Sequence, residues 1–232
     1  MSSSVFSLAL LQLPGATGPD MTFADIWEGG GFMMWLLAAA FLVGMLVIVW
    51  KLVDLTAKGA RTRRVLRDVD ALVAEGRIAE AIDVADRSKT PGGRILSEGL
   101  RRHNEGTERV VKAIENAGLI EMAKLERGLV ILATVSTVAP LLGFLGTVIG
   151  MIQAFQAIEL AGEVEATLVA GGIKVALITT ASGLVIAIPV SIAHNYFVSR
   201  IDRLVIDMEE SAQRTIDALH EIDVGRTAPV AR

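Results

Sequence analysis

The chain has 232 residues, 52% hydrophobic, 21% charged and 5% aromatic, with a formal net charge of −4 and a mean hydropathy of +0.53. Residues 29–50, 128–158 and 175–199 contain no Asp, Glu, Lys or Arg, and each stretch exceeds the ~20 residues that cross a ~30 Å hydrocarbon core. This segregation excludes a disordered chain, a disulfide-stapled scaffold and a single soluble core, the absence of cysteine removes thiolate metal sites, and the negative balance argues against a nucleic-acid binder.

The expected fold class is an all-α membrane protein: three transmembrane helices with long helical extensions into the cytoplasm. Residues 1–28 form an N-terminal segment. Within it Val5 to Leu13 is apolar, with Ala16 nearby and no basic residue ahead, so it reads either as a cleaved signal peptide or as a short amphipathic periplasmic stretch. The first span is 29–52, with Trp27 and Trp35 marking its outer interface and Trp50 its inner one. Residues 53–127 form a helical loop. Val65, Val69, Leu72 and Val73 recur at helical spacing, as do Ile78, Ala81, Ile82 and Ala85 after a break at Gly76. Thr90 before Pro91 is an N-cap with proline at the first helical position, and Gly106 with Thr107 opens another helix. From Thr107 the apolar pattern meets no breaker before the second span at 128–158, which predicts one helix from Thr107 to Ile158, on the order of 75 Å long.

A short loop at 159–168, a third span at 169–199 and a helical tail at 200–232 complete the chain. In the tail Ile201, Leu204, Val205, Met208, Ala212, Ile216 and Leu219 form one stripe. Outside a membrane such a stripe needs a partner helix, from the same subunit or a neighbouring one. No Lys or Arg precedes Lys51; 16 lie from Lys51 to Arg127, only Lys174 lies within 128–199, and 5 follow. The positive-inside rule therefore puts the long loop and the C-terminus in the cytoplasm, and the N-terminus and the loop around Glu159, Glu163 and Glu165 outside.

Catalytic constellations are missing. Nothing fits a Walker A loop, and His103, His194 and His220 are too scattered for a metal site and read as ordinary surface or interface histidines. The expectation is no enzyme, no cofactor and no metal. The second span carries a small-residue face of Ala139, Gly143, Gly146, Thr147, Gly150 and Ala154; the third carries Gly172, Ala176, Thr180, Gly183, Ala187 and Ser191. Such faces serve close helix packing. A loop folded symmetrically about Glu163 and Val164 sets Thr147 level with Thr180 and Gln153 level with Lys174, the threonines near mid-membrane, where their hydroxyls suit the wall of a narrow polar passage. Pro140 and Pro189 lie inside the spans and permit kinks. Lys174 and Gln153 are placed at the outer mouth, where the Lys174 stem snorkels and its ammonium meets Gln153 or the acidic loop; the plainer alternative for Lys174 is an interfacial anchor.

The run from Ala139 to Phe155, APLLGFLGTVIGMIQAF, and the run from Gly171 to Val190, GGIKVALITTASGLVIAIPV, resemble the second-span and third-span signatures of the MotA/TolQ/ExbB proton-channel family. Three spans with a long first loop resemble its ExbB and TolQ branch. The resemblance implies a pentamer of this chain in a bacterial inner membrane around a dimer of an ExbD-like or TolR-like single-span protein whose transmembrane Asp carries the proton, and implies work delivered through a TonB-like or TolA-like protein. It makes Thr147 and Thr180, with Gly143, Gly146, Gly150 and Gly183, the proton-pathway candidates, with H⁺ as the ion and Na⁺ left open. Many members have a glutamate where this chain has Val175, so any mid-membrane acid must come from the partner. A non-conducting scaffold that assembles partner proteins is the alternative reading. A small-solute transporter fits less well, for want of internal repeats.

Overall fold

The computed structural model describes residues Phe23 to Thr227, so the signal-peptide question at Val5 to Ala16 falls outside the described residues. The described residues form helices and no strand: α1 (Phe23–Gly29), α2 (Met33–Ala74), α3 (Ile78–Ser88), α4 (Pro91–Leu100), a 3-10 turn (His103–Glu105), α5 (Thr107–Glu126), α6 (Leu129–Ala161) and α7 (Ala166–Thr227). Three stretches are long and apolar enough to cross a membrane: Met33–Ala74, Leu129–Ala161 and Val169–Glu221. The all-α, three-span expectation holds. The first span's helix starts later than residue 29, because Gly31, at φ 58°, separates α1 from α2.

The single helix expected from Thr107 to Ile158 is two helices. Arg127 turns to φ −55°, ψ 128°, and Gly128 takes φ 93°, a left-handed backbone that only glycine adopts at no steric cost. Its missing side chain also makes room: a β-carbon at Gly128 would stand 3.0 Å from the Trp50 ring. The carbonyls released at this break find a donor in Lys51, which is 1% exposed. Its ammonium donates to the Leu125 carbonyl and, at 2.9 Å, to that of Arg127. A cation on the last carbonyls of α5 also complements the negative end of that helix. Pro140 and Pro189, expected as kinks, lie inside α6 and α7, and neither ends its helix.

The described residues divide into two compact units, 23–40 with 138–186 and 41–137 with 187–227. In the second, α4 begins as its sequence dictates. Thr90 accepts from the Gly93 amide at 3.2 Å, with Pro91 in the first turn. Ala81, Ala85, Ile95, Leu96, Leu100, Val110 and Ala113 supply its buried apolar residues. The tail stripe is also covered within this chain: Ile201, Leu204, Met208, Ala212 and Leu219 are buried, as are Leu66, Val69 and Val73 of α2. Polar contacts tie the two helices together. Ser211 donates to Asp70 at 2.6 Å, Arg214 pairs with the same carboxylate at 3.2 Å, and Arg63 pairs with Asp207 at 2.7 Å.

Candidate functional site

In the first unit α6 and α7 meet along a seam of small residues. A β-carbon at Gly143 would stand 2.8 Å from the Thr179 carbonyl oxygen; at Gly150, 2.8 Å from the Gly172 oxygen; at Gly183, 2.6 Å from the Ala139 oxygen. At Gly146 it would run into the Thr179 side chain at 2.4 Å. All four glycines are buried, and they let the two backbones touch, which is how helices associate where lipid gives no hydrophobic drive. Gly143, Gly146, Gly150 and Gly183, expected along the proton pathway, are thus occupied in packing one helix of this chain on another.

The seam also sets the register. Gly143 faces Thr179, Thr180 and Gly183, and Gly150 faces Gly172 and Ala176, so opposed residue numbers sum to about 324 rather than the 327 of a symmetric loop. Thr147 and Thr180 are therefore not level but staggered by three residues, about 4.5 Å along the axis, with Thr147 nearer the loop at Gly162. Close approach of glycines to carbonyls, not the loop midpoint, fixes which residues oppose each other.

Thr147 follows Gly146 and Thr180 follows Thr179, so each is turned by about 100° from a seam residue. On antiparallel helices the same turn leads to the same flank, and both threonines stand on one side of the seam, half-exposed. Thr180 donates across it to the Gly143 carbonyl at 3.3 Å. Thr147 donates to the Phe144 carbonyl of its own helix at 2.6 Å. Each hydroxyl keeps its oxygen lone pairs for an incoming donor.

Thr179 is the residue that the sequence reading passed over. It is fully buried, fills the space at Gly146 and donates to the Val175 and Ala176 carbonyls at 3.0 Å. Its spacing from Ala176 and Gly183, i+3 and i−4, was the available signal.

Lys174 does not meet Gln153. Its stem passes 3.6 Å from the position of a β-carbon on Gly29, beside Ile178 at 2.8 Å, so Lys174 and Ile178, one turn apart on α7, lie along the end of α1. Gln153 is exposed on α6. Among the described residues no ion pair includes Lys174. With no side chain on Gly29, the lysine stem and Ile178 come close to the end of α1. Trp27 and Trp35 meet edge to face, with ring centroids 5.0 Å apart. Among the described residues no group of three or more His, Cys, Asp or Glu could hold a metal ion.

The MotA/TolQ/ExbB proton channel family matches residues 87–210. A putative biopolymer transport protein ExbB homolog of Methanothermobacter thermautotrophicus is 32% identical over 78% of this chain and 64% of its own length. The biopolymer transport protein ExbB of Xanthomonas campestris pv. campestris is 42% identical over 48% of this chain and 42% of its own. The Tol-Pal system protein TolQ of Pseudomonas aeruginosa is 41% identical over 42% of each chain. This chain spans less than two thirds of the length of each of these relatives.

Proposed function

Because the chain belongs to the MotA/TolQ/ExbB proton channel family, we propose that it is the stator-like channel subunit of an inner-membrane motor driven by the proton-motive force. Five copies surround a dimer of an ExbD-like or TolR-like single-span protein. The N-terminus is periplasmic and the C-terminus cytoplasmic, as the basic residues of 51–127 argue. The assembly powers TonB-type or Tol-type transport or envelope processes through a TonB-like or TolA-like protein. The chain is no enzyme and needs no cofactor; the ion is H⁺, with Na⁺ as the competing case.

The observation that carries this reading is the pair of half-exposed threonines on one flank of a glycine-packed seam, inside the stretch that the family matches. A carboxyl group in apolar surroundings favours its neutral form, so the partner aspartate takes a proton from the outer side. Each threonine oxygen accepts from a carboxylic acid as it stands, and its hydrogen, given to the Phe144 or Gly143 carbonyl in this structure, turns to a carboxylate when one arrives, so one wall serves both states. Stagger suits a moving group: a carboxyl passing inward leaves Thr147 as it reaches Thr180. Moving one charge through the membrane potential yields about 2.3 kcal/mol per 100 mV.

The test is proton flux in vesicles holding this chain with the single-span, aspartate-bearing protein encoded beside it. The double variant Thr147→Val, Thr180→Val keeps side-chain volume and removes both hydroxyls, which are worth about 0.6 to 2 kcal/mol each inside a membrane. The complex is expected to assemble and to lose flux. Normal flux, or a complex that fails to form, makes the threonines packing residues. A wild-type complex that conducts nothing leaves the scaffold.

A further inference from the structure

Between α5 and α7, within the second compact unit, lies a groove of about 520 Å³, walled by Val111, Leu119 and Met122 on one side and Val205, Met208 and Ile216 on the other. Along α7 it runs from Val205 to Ile216, about 16 Å or three helical turns. It begins about 9 Å beyond Ser199, where the charge-free run of the third span ends. The rest of the tail stripe is buried within this chain. Val205 and Ile216 are only half-buried, and Leu119 is 63% exposed.

Gly118 also lines the groove. It lies inside the 20-residue helix α5, where glycine is destabilising relative to alanine, and a β-carbon on it would meet nothing within 4 Å. The glycines of the α6–α7 seam have neighbours that demand a bare backbone. Gly118 has none in this chain, and its missing side chain leaves the groove open. Glu115 stands on the α5 wall and Glu209 on the α7 wall, and no Lys or Arg lines the groove. Neither carboxylate takes part in an ion pair among the described residues. The basic residues nearest in sequence are engaged elsewhere, Lys112 with Glu108 at 2.7 Å and Arg214 with Glu210 at 3.0 Å and Asp70 at 3.2 Å.

We propose that this groove holds the cytoplasmic segment of the single-span partner, bound as a short amphipathic helix with its apolar face on the groove and its Lys or Arg side chains against Glu115 and Glu209. The proposal rests on the reading above, which supplies that partner. An amphipathic helix laid in an apolar groove is a common way of holding a peptide. Two unpaired carboxylates on facing walls, with no cation between them, select a basic segment over a neutral or acidic one. A single-span protein whose working domain lies outside keeps its Lys and Arg on the short cytoplasmic side. The partner therefore presents the required charge on the side of the membrane where the groove lies.

The chain has no cysteine, so Leu119→Cys places a single thiol on the groove wall. Labelled with a benzophenone maleimide and illuminated in the complete complex, it should cross-link to the single-span protein, with the join in that protein's cytoplasmic segment by mass spectrometry. The same label at Arg87→Cys, exposed on α3 and outside the groove, should not. Glu115→Lys with Glu209→Lys reverses the wall charges and should lower the cross-link about fivefold or more. Gly118→Met fills the groove and should lower it as much, with the amount of complex unchanged in both. A cross-link between two copies of this chain, no cross-link, or one that both variants leave undiminished overturns the inference alone when the complex forms and conducts. Loss of the complex in both variants makes the groove part of the assembly interface and also overturns it; where one variant alone loses the complex, the other decides. If no complex with the single-span protein forms, the inference fails together with the reading beneath it.

Discussion

Helix α7 packs by two opposite means along its length. From Gly172 to Gly183 it meets α6 through glycine, alanine and threonine, with backbones close enough that a single added carbon would strike a carbonyl. From Ile201 to Leu219 it buries isoleucine, leucine and methionine and is tied to α2 by Asp70, Ser211, Arg214, Arg63 and Asp207. In water, burying a large apolar side chain is worth about 1.5–3 kcal/mol, so bulk stabilises the second contact. In lipid that drive is absent, and close approach with its dispersion and backbone contacts must replace it. The same helix therefore needs its smallest residues in one stretch and its largest in another.

The largest expected effect comes from placing bulk where the comparison forbids it. Gly183→Leu puts a β-carbon 2.6 Å from the Ala139 carbonyl oxygen, and backbone on a packed helix cannot yield as a flexible side chain can. Overpacking of this kind costs about 1–3 kcal/mol even in cores that relax. The variant should lose its folded form in detergent, read as a collapse of the thermal unfolding transition, whereas leucine for the partly covered Val205 of the stripe should shift that transition little. Equal tolerance at the two positions would remove the contrast.

A smaller effect is expected at Lys51, which directly follows the first charge-free run. Its buried ammonium satisfies two carbonyls at the end of α5. Lys51→Met keeps the stem but leaves those oxygens unpaired, at about 1–3 kcal/mol for each buried polar group so orphaned. Cleavage by trypsin after the exposed Arg127 should quicken, and Lys51→Arg, which can still donate, should resist it. Identical digestion of all three forms would show that water satisfies the break equally well.

The parts of the fold visible in the sequence are those that depend on composition along the chain. Charge-free runs long enough for lipid mark all three spans, and the Thr90 and Pro91 pair marks the start of α4, because desolvation and capping act on local residues. What the sequence did not reveal depends on residues far apart. Gly128 follows Lys124 and Arg127, a helix-stop pattern that the continuing apolar periodicity outweighed, and its need for a bare backbone shows only once Lys51 and Trp50 are seen to close around it. The register of α6 on α7 follows from glycine contacts across the seam, which no reading of one helix contains, and so Thr147 and Thr180 were set level and Thr179 was overlooked. Lys174 was set beside Gln153 or the acidic loop by its depth and charge, with an interfacial anchor as the alternative, whereas its stem lies beside Gly29 and Ile178.

The smallest effect is expected at the exposed ion pairs outside the membrane, which set a floor for both kinds of packing. Arg77 donates to Glu80 and to Glu75 at 2.8 Å, and its hydrogen bonds hold the Glu80 carboxyl below the usual carboxylate range. A depressed carboxylate stabilises the fold above its ordinary range, and that contribution is lost as pH falls through the folded-state value. Both side chains are exposed, however, so solvent and salt screen the pair and side-chain ordering offsets it. Arg77→Ala should leave the thermal midpoint at neutral pH within error, and wild type and variant should lose stability in parallel on acidification. A midpoint that falls as far as in Lys51→Met would mean that surface charge, rather than the buried cation, holds this part of the chain together.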